Sequence, residues 1–215
     1  MDEFALRNNF YIKYGKRIFD LTVTIPLLIL FSSLIYFIGF LVRIQLGSPV
    51  FFKQIRPGKD EKLFTLYKFR TMTNKKDENG HLLPDQKRIT PFGKFLRSTS
   101  LDELPELLNV IKGDMSLVGP RPLLVRYLPY FRENEKKRNK VLPGITGLAQ
   151  ITGRNVLNWD DRFKLDLQYI SNQSFVLDLI IIFKSILVVF ERKDILVGSE
   201  HILKDLDVER SMNRV

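Results

Sequence analysis

A run of 22 residues without a charge, LTVTIPLLILFSSLIYFIGFLV, extends from Leu21 to Val42. At ~1.5 Å per helical residue it is long enough to cross the ~30 Å hydrocarbon core of a bilayer. A cleaved signal peptide is disfavoured, because the run is too long and no small-residue cleavage site follows it. A buried helix of a soluble protein is rarely so long without a charge. The run therefore predicts a membrane helix.

Both flanks of this run are basic, and basic flanks favour the cytoplasmic side of a membrane. A helix with both ends on one side must enter the membrane and turn back. Two places offer a bend: Pro26 removes a backbone hydrogen bond, and the hydroxyls of Ser32 and Ser33 can bond to freed carbonyls. The sequence favours a re-entrant helix, with a simple span as the alternative. The flanking basic residues are Arg7, Lys13, Lys16 and Arg17 before the run and Arg43, Lys53, Arg56, Lys59 and Lys62 after it.

Composition narrows the class of protein further. A chain of 215 residues with 45% hydrophobic content suits one cored domain plus an anchor. The absence of cysteine excludes disulfides and thiolate metal sites, and two histidines far apart disfavour histidine-based catalysis. A net charge of +10 indicates an anionic partner: nucleic acid, anionic lipid or a phosphorylated small molecule. No segment matches a nucleic-acid-binding signature, so we expect no nucleic acid partner.

The pattern after the anchor predicts an α+β fold, mainly helical with a small β-hairpin. Alternating segments GSPVFFKQIRPG and EKLFTLYKFRTM read as the hairpin arms. Helical patterns follow, and the last residues look like a loosely held tail. We expect an N-terminal segment and membrane helix over 1–46, a catalytic domain at the membrane interface over 47–200 and a tail over 201–215. Predicted helices lie at Tyr127–Val141, Asn158–Ser171 and Phe175–Phe190, the last in the core or the membrane interface.

The stretch STSLDELPELLNVIKGD contains two adjacent carboxylates, Asp102 and Glu103. One interpretation is a capping box, in which Ser100 and Glu103 satisfy each other's backbone N–H groups at a helix start. Pro105 weakens it, because a proline at the fifth helical position clashes with the carbonyl four residues back. A helix that begins later leaves Asp102 near free backbone N–H groups, a place that suits phosphate. Both interpretations stay open at this point.

Five segments together resemble one family, the monotopic phosphoglycosyl transferases, also called bacterial sugar transferases. The resemblance extends from about Lys13 to Lys193. One departure lies in the membrane helix, where the family usually has LFSP and this chain has LFSS at 30–33. The matching segments are KRIFDL (16–21), GSPVFFKQIRPG (47–58), FTLYKFRTM (64–72), LRSTSLDELPELLNVIKGDMSLVGPRPLL (96–124) and PGITGLAQITGR (143–154).

The resemblance implies a reaction at the cytoplasmic face of a bacterial inner membrane. A sugar-1-phosphate moves from a UDP-sugar to undecaprenyl phosphate, giving undecaprenyl-diphosphate-sugar and UMP. It implies that Asp102 is the nucleophile and that Glu103 holds Mg²⁺. The resemblance to the smaller members of the family implies an N-acetylated amino sugar as the donor's sugar. Competing hypotheses are a polyprenyl-phosphate enzyme that transfers only phosphate and a membrane-anchored, non-catalytic scaffold that binds anions or lipid.

Further residues are candidates for binding the substrates' phosphates. Arg97 and Arg121 would supply fixed positive charge at the transferring phosphoryl group. Lys68 and Arg70 are candidates for contacts with phosphate or lipid headgroups, with a solvated strand face as the alternative. A glycine-containing loop is assigned to the nucleotide or glycan, with a structural turn as the alternative. Its candidate residues are Gly144, Thr146, Gly147, Gln150 and Arg154.

Overall fold

The computed structural model describes residues 10–153, 157–191 and 204–212. These residues are mainly helical, with one antiparallel hairpin and one short pair of parallel strands. This confirms the predicted mainly helical α+β class with a small hairpin.

The N-terminal part is a bent pair of helices. Helix α1 (Lys16–Leu30) and helix α2 (Ser32–Leu46) are separated by Phe31, and their axes are bent by 61°. Ser32 donates its hydroxyl hydrogen to the carbonyl of Ile29 at 2.8 Å, so the bend lies at the serines. Pro26 lies within α1 instead. Within the described residues no single helix is both long and apolar enough to cross a membrane, whereas the bent pair taken together is.

Helix α1 buries a polar stripe against the rest of the chain. Lys16, Asp20 and Thr24 are spaced four residues apart, which places them on one helix face, and all three are buried. The carboxylate of Asp20 accepts hydrogen bonds from the hydroxyl of Ser116 at 3.0 Å and from the N–H of Leu117 at 3.1 Å. The bent pair is therefore fixed to the domain by polar contacts and not by apolar packing alone.

The predicted hairpin is confirmed. Strand β1 (Phe51–Pro57) pairs antiparallel with strand β2 (Leu63–Phe69), in a register that places Phe51 opposite Phe69. Phe64 and Leu66 are buried on one face of β2, and Phe69 is buried in a different cluster from the opposite face. Lys68 follows Leu66 by two residues, so it shares the face of Phe64 and Leu66 and is half-buried there.

A short parallel pair was not predicted from the sequence. Strand β3 (Ser116–Val118) pairs with strand β4 (Gly144–Thr146) inside the glycine-containing loop. A Cβ on Gly144 would lie 2.1 Å from the backbone nitrogen of Gly119, and one on Gly147 would lie 2.2 Å from the carbonyl oxygen of Gly119. These two glycines allow backbones to approach closely, which gives them a packing role.

The predicted helices at Asn158–Ser171 and Phe175–Phe190 are confirmed, whereas two other predictions are wrong. The segment Tyr127–Val141 is not one helix, because Pro129 lacks an N–H and the chain becomes extended at Phe131. The end of the chain is not loosely held in its described part, since Leu206 is fully buried and Arg210 pairs with Glu135 at 2.6 Å. The helices after the hairpin are α3 (Asp85–Arg88), α4 (Pro91–Ser98), α5 (Glu106–Lys112), α6 (Glu133–Lys136), α7 (Leu148–Thr152), α8 (Trp159–Asn172), α9 (Phe175–Glu191) and α10 (Leu206–Met212).

Candidate active site

The adjacent carboxylates lie in a short turn between two helices. A 3-10 turn, Leu101–Glu103, joins α4 to α5 and directly follows Ser100, whose φ is 56°. A left-handed backbone at a residue with a side chain costs on the order of 1 kcal/mol and persists only where its surroundings impose it. The strained residue therefore lies two positions before the first carboxylate of the acid pair.

The capping-box interpretation of this stretch is wrong. The side chain of Ser100 makes no capping hydrogen bond, and α5 begins only at Glu106. Because α5 begins four residues after Asp102, the second prediction, which placed Asp102 at the N-terminus of this helix, is also wrong. The carboxylate of Glu103 bonds instead to two cationic side chains, because charge-assisted hydrogen bonds are stronger than a bond to a neutral N–H.

Glu103 is the centre of an ion-pair network. Its Oε1 accepts hydrogen bonds from Lys68 Nζ at 2.5 Å and from Arg121 Nη2 at 2.6 Å. Lys68 Nζ also lies 3.1 Å from Oε1 of Glu106, close enough for an ion pair, although that oxygen has no well-oriented hydrogen-bond donor. Strand β2, the 3-10 turn, α5 and the segment after β3 thus each contribute one charged side chain to a single cluster.

The electrostatics of the two members of the acid pair differ. Burial alone would raise the pKa of Glu103, but the charges of Arg121 and Lys68 outweigh it and hold that pKa well below the usual range. Burial, with the charge of Glu103 added, raises the pKa of Asp102 to about 6. Two adjacent carboxylates therefore have separated titrations, a pattern typical of sites in which the two acids have different roles.

Two guanidiniums, one buried and one half-buried, hold the backbone that carries Arg121. Arg138 donates to the carbonyl of Arg121 at 2.7 Å and forms a buried ion pair with Asp166 at 2.9 Å. Arg56 donates to the carbonyl of Pro122 at 3.2 Å. The charge of Glu103 raises the pKa of Arg121, which stays positive at any physiological pH. The structure thus presents a fixed cation beside the acid pair.

The structure brings some of the predicted binding residues together and separates others. Asp102, Glu103, Lys68 and Arg121 form one cluster, and the charge of Arg97 also acts on Asp102. Arg70 lies apart, with its Nη1 donating to the carbonyl of Ser48 at 2.8 Å.

The glycine-containing loop packs beside the segment that carries Arg121. The N–H of Gly144 donates to the carbonyl of Pro120 at 3.1 Å. Thr146 shares a hydrogen bond with Ser185 at 2.5 Å, and Gln150 donates to the carbonyl of Ile145 at 2.8 Å. These contacts give the loop structural roles, and nucleotide binding by it stays a prediction. Arg154 lies outside the described residues.

Sequence reasoning missed two members of this site. Glu106 is 2% exposed, and burial and the charge of Glu103 raise its pKa to about 7. Arg56 is half-buried beside the segment of Arg121, with Gln54 and the Pro122 carbonyl as its partners. A usable signal was present for Glu106, since it follows Asp102 by four residues and Glu103 by three, as neighbours on a helical surface do.

The donor set is compatible with a hard divalent cation. No group of three potential metal ligands occurs among 10–153, 157–191 and 204–212. Mg²⁺, however, is commonly bound by one or two carboxylates together with substrate phosphates. Glu103 supplies such a carboxylate, and the buried Oε1 of Glu106 has no hydrogen-bond donor. The oxygen ligands present therefore fit Mg²⁺, and its binding is a proposal.

A buried acid pair fixed among lysine and arginine is a site suited to phosphate chemistry. The family model for the bacterial sugar transferase matches residues 11–192. The chain belongs to the bacterial sugar transferase family, and it is an enzyme of the transferase class.

Named relatives agree with that assignment. An uncharacterized sugar transferase, EpsL, from Bacillus subtilis is 58% identical over 76% of this chain and 81% of its own length. The UDP-glucose:undecaprenyl-phosphate glucose-1-phosphate transferase of Klebsiella pneumoniae is 41% identical over 80% of this chain. The UDP-N-acetylgalactosamine-undecaprenyl-phosphate N-acetylgalactosaminephosphotransferase of Aeromonas hydrophila is 38% identical over 82% of this chain. The matches span 39% and 43% of the lengths of these last two relatives, respectively.

Proposed function

We propose that this enzyme transfers a sugar-1-phosphate from a UDP-sugar to undecaprenyl phosphate, releasing UMP. The relatives from Klebsiella pneumoniae and Aeromonas hydrophila are named for UDP-glucose and UDP-N-acetylgalactosamine, respectively, with undecaprenyl phosphate. The observation that carries the proposal is the separation of the acid pair into a buried Asp102 without a cationic hydrogen-bond partner in the described chain and a Glu103 held by Lys68 and Arg121.

In the first half-reaction Asp102 is the nucleophile. A carboxylate oxygen of Asp102 attacks the sugar-bearing phosphorus, a P–O bond to Asp102 forms and the P–O bond to UMP breaks. Arg121 and Lys68 stabilise negative charge on the phosphoryl oxygens, since both side chains already lie at the acid pair. Burial keeps Asp102 poorly hydrated, which favours attack once its proton is lost.

In the second half-reaction the lipid phosphate takes the place of UMP. An oxygen of undecaprenyl phosphate attacks the aspartyl-phosphosugar, and the Asp102–phosphorus bond breaks to regenerate the carboxylate. Splitting the transfer in two lets each anionic substrate bind the same cations in turn. Two polyanions therefore need not occupy the site together.

Glu103 would hold Mg²⁺, with Glu106 as the second available carboxylate. The ion, when bound, supplies positive charge that neutralises the diphosphate and orients its oxygens. Lys68 and Arg121 donate to Glu103 Oε1 in this structure and would themselves contact the phosphates of the substrate.

Exposed apolar surface on two regions supports a placement at the membrane. The bent pair exposes large apolar side chains along α2, and α9 exposes a second set while burying Asp178. We propose that both sets lie in the cytoplasmic leaflet of the bacterial inner membrane, with the bent pair re-entrant. The exposed side chains are Tyr36, Phe37, Phe40 and Ile44 on α2 and Phe175, Val176, Leu179, Ile180 and Phe183 on α9.

The reaction is tested with purified protein in nanodiscs containing undecaprenyl phosphate and Mg²⁺. UMP release is measured over a panel of UDP-sugars that includes glucose, galactose and N-acetylated amino sugars, with Asp102→Asn alongside. We expect release with one sugar, an N-acetylated amino sugar in our proposal, and none from Asp102→Asn. A lipid product without sugar would instead indicate an enzyme that transfers only phosphate. Full activity of Asp102→Asn would refute the proposed nucleophile.

The topology is tested by cysteine labelling, which the cysteine-free chain makes simple. Single cysteines replace Lys13, before the bent pair, or Lys59, after it. We expect a membrane-impermeant maleimide to label both positions from the cytoplasmic side only. Labelling of the Lys13 position from the opposite side would establish a simple span.

A further inference from the structure

A groove separate from the acid pair lies at the start of the hairpin, just after α2 ends. Its volume is about 440 Å³. Two cationic side chains line it together with aromatic and apolar ones, and none of its described lining residues is acidic. The lining residues are Pro49, Phe51, Phe52, Lys53, Arg70 and Asn74.

Arg70 is the buried cation of this groove. Arg70 is only 6% exposed, and its Nε is buried without a hydrogen-bond partner among the described residues. The one hydrogen bond that its side chain makes to a described residue goes to the neutral carbonyl of Ser48, and no described carboxylate pairs with it. Burial and the charge of Arg43 lower its pKa. A buried charge without a counter-ion is costly, so such an arrangement is suited to receive an anion.

Lys53 adds a second cation, and the neighbouring rings add an apolar surface. Lys53 lies on β1 opposite Tyr67, is exposed and has no ion pair with a described residue. Phe51 and Phe52 are 39% and 45% exposed on the same edge. Two cations next to exposed aromatic rings match a phosphate group that carries a long apolar chain.

The position of the groove connects it to both the bent pair and the acid pair. Arg70 bonds to Ser48, which follows the end of α2 by two residues. Thr71, the residue after Arg70, accepts a hydrogen bond from Arg97 Nε at 3.0 Å, and the charge of Arg97 acts on Asp102. A headgroup in the groove would therefore lie between the proposed membrane segment and the reacting carboxylate.

We propose that this groove binds the phosphate of a polyprenyl phosphate and holds the acceptor between the bent pair and the acid pair before the second half-reaction. The role as an acceptor site rests on the proposed function, whereas lipid-phosphate binding itself does not. The shared chemistry is a lipid-borne phosphate, which a polyprenyl phosphate or an anionic phospholipid can supply.

The test measures binding of farnesyl phosphate, without any donor sugar, to protein in nanodiscs of zwitterionic lipid by calorimetry. Lys53→Gln should weaken binding about tenfold, the loss expected for one charge-assisted contact. Arg70→Gln should weaken it at least as much. The matched control is Lys59→Gln, a lysine in the hairpin turn outside the groove, which should bind like the parent protein. Farnesol, which lacks the phosphate, should not bind.

Further measurements distinguish a polyprenyl phosphate from an anionic phospholipid, and distinguish binding in the groove from the transfer reaction. The binding measurement is repeated in nanodiscs that contain phosphatidylglycerol. Loss of farnesyl phosphate binding there would show that bulk lipid headgroups fill the groove, and would overturn the acceptor role. Unchanged affinity in both Lys53→Gln and Arg70→Gln, with correct folding, would overturn the site itself. Asp102→Asn should still bind farnesyl phosphate. The binding result can therefore be interpreted even if the proposed transfer reaction is not observed.

Discussion

Lys16 of α1 and Asp178 of α9, which are 162 residues apart in sequence, form a buried ion pair at 2.6 Å. The hydroxyls of Tyr11 and Tyr169 donate to the same carboxylate at 2.6 Å and 2.8 Å. Asp178 is fully buried, so these partners take the place of water as its hydrogen-bond donors. The ion pair therefore joins α1 of the bent pair to α9, the two regions that we propose to face the membrane.

Removing the charge of Asp178 should destabilise the fold strongly. Asp178→Asn leaves the ammonium of Lys16 buried and unpaired, which costs about 3–5 kcal/mol in comparable pairs. We expect the thermal midpoint in detergent to fall by roughly 10 °C. Glu133→Gln breaks an exposed surface pair with Lys136 and serves as control, with no measurable change expected. An unchanged midpoint for Asp178→Asn would mean that the pair does not connect α1 to α9.

Substituting Glu103 should abolish turnover without unfolding the protein. Glu103→Gln keeps the size of the side chain but removes the charge that holds Lys68 and Arg121. We expect kcat to fall by about 10³-fold, the size of effect seen when a key electrostatic group is lost. The thermal midpoint shows whether Glu103→Gln is folded, and calorimetric titration with Mg²⁺ shows whether it still binds the ion. A fully active variant that still binds Mg²⁺ would contradict the role given to Glu103.

The reaction should lose rate in acid because the nucleophile must be ionised. Burial and Glu103 raise the pKa of Asp102 to about 6, so protonation removes the nucleophile below that pH. We expect kcat/KM to fall about tenfold per pH unit on the acid side of 6. The charge of Lys68 lowers the pKa of Asp102, so Lys68→Met should move this limb to higher pH. If the loss of rate occurred near the ordinary carboxyl pKa in both the parent protein and Lys68→Met, Asp102 would not be the group that must be ionised.

Glu106 should make stability depend on pH with a definite sign. Burial raises its pKa to about 7, so the folded state favours the protonated form, and the stability from this group is lost as pH rises through about 7. Glu106→Gln mimics the protonated form and should raise the free energy of unfolding by about 1–3 kcal/mol at pH 8. This gain should vanish below the ordinary glutamate pKa. Denaturant unfolding at pH 4 and pH 8, with Glu133→Gln as control, measures it.

The local elements of this fold follow from local patterns. The alternation around Phe64–Phe69 gave the hairpin, and the long apolar-periodic segments gave α8 and α9. Adjacency alone did not single out Asp102 and Glu103, since four other adjacent acid pairs occur in the chain; the resemblance of the segment 96–124 to the family did. Pro129 interrupts an otherwise helical pattern, and its effect on the segment was underestimated.

Contacts between distant segments could not be predicted in this way. No local pattern pairs Lys16 with Asp178 or aligns β3 with β4. Lys68 and Arg70 share a strand motif, yet one reaches Glu103 and the other reaches Ser48. Their separation depends on how α2 leads into the hairpin, which is a property of the tertiary fold.

The central claim is that Asp102 becomes covalently attached to the phosphosugar. The direct measurement is mass spectrometry of protein incubated with its UDP-sugar and Mg²⁺ in the absence of undecaprenyl phosphate, followed by rapid acid quenching and digestion. We predict a mass increase of one sugar phosphate on the peptide containing Asp102, lost when undecaprenyl phosphate is added and absent from Asp102→Asn. UMP release that requires undecaprenyl phosphate in the first turnover, with no labelled peptide, would contradict the claim.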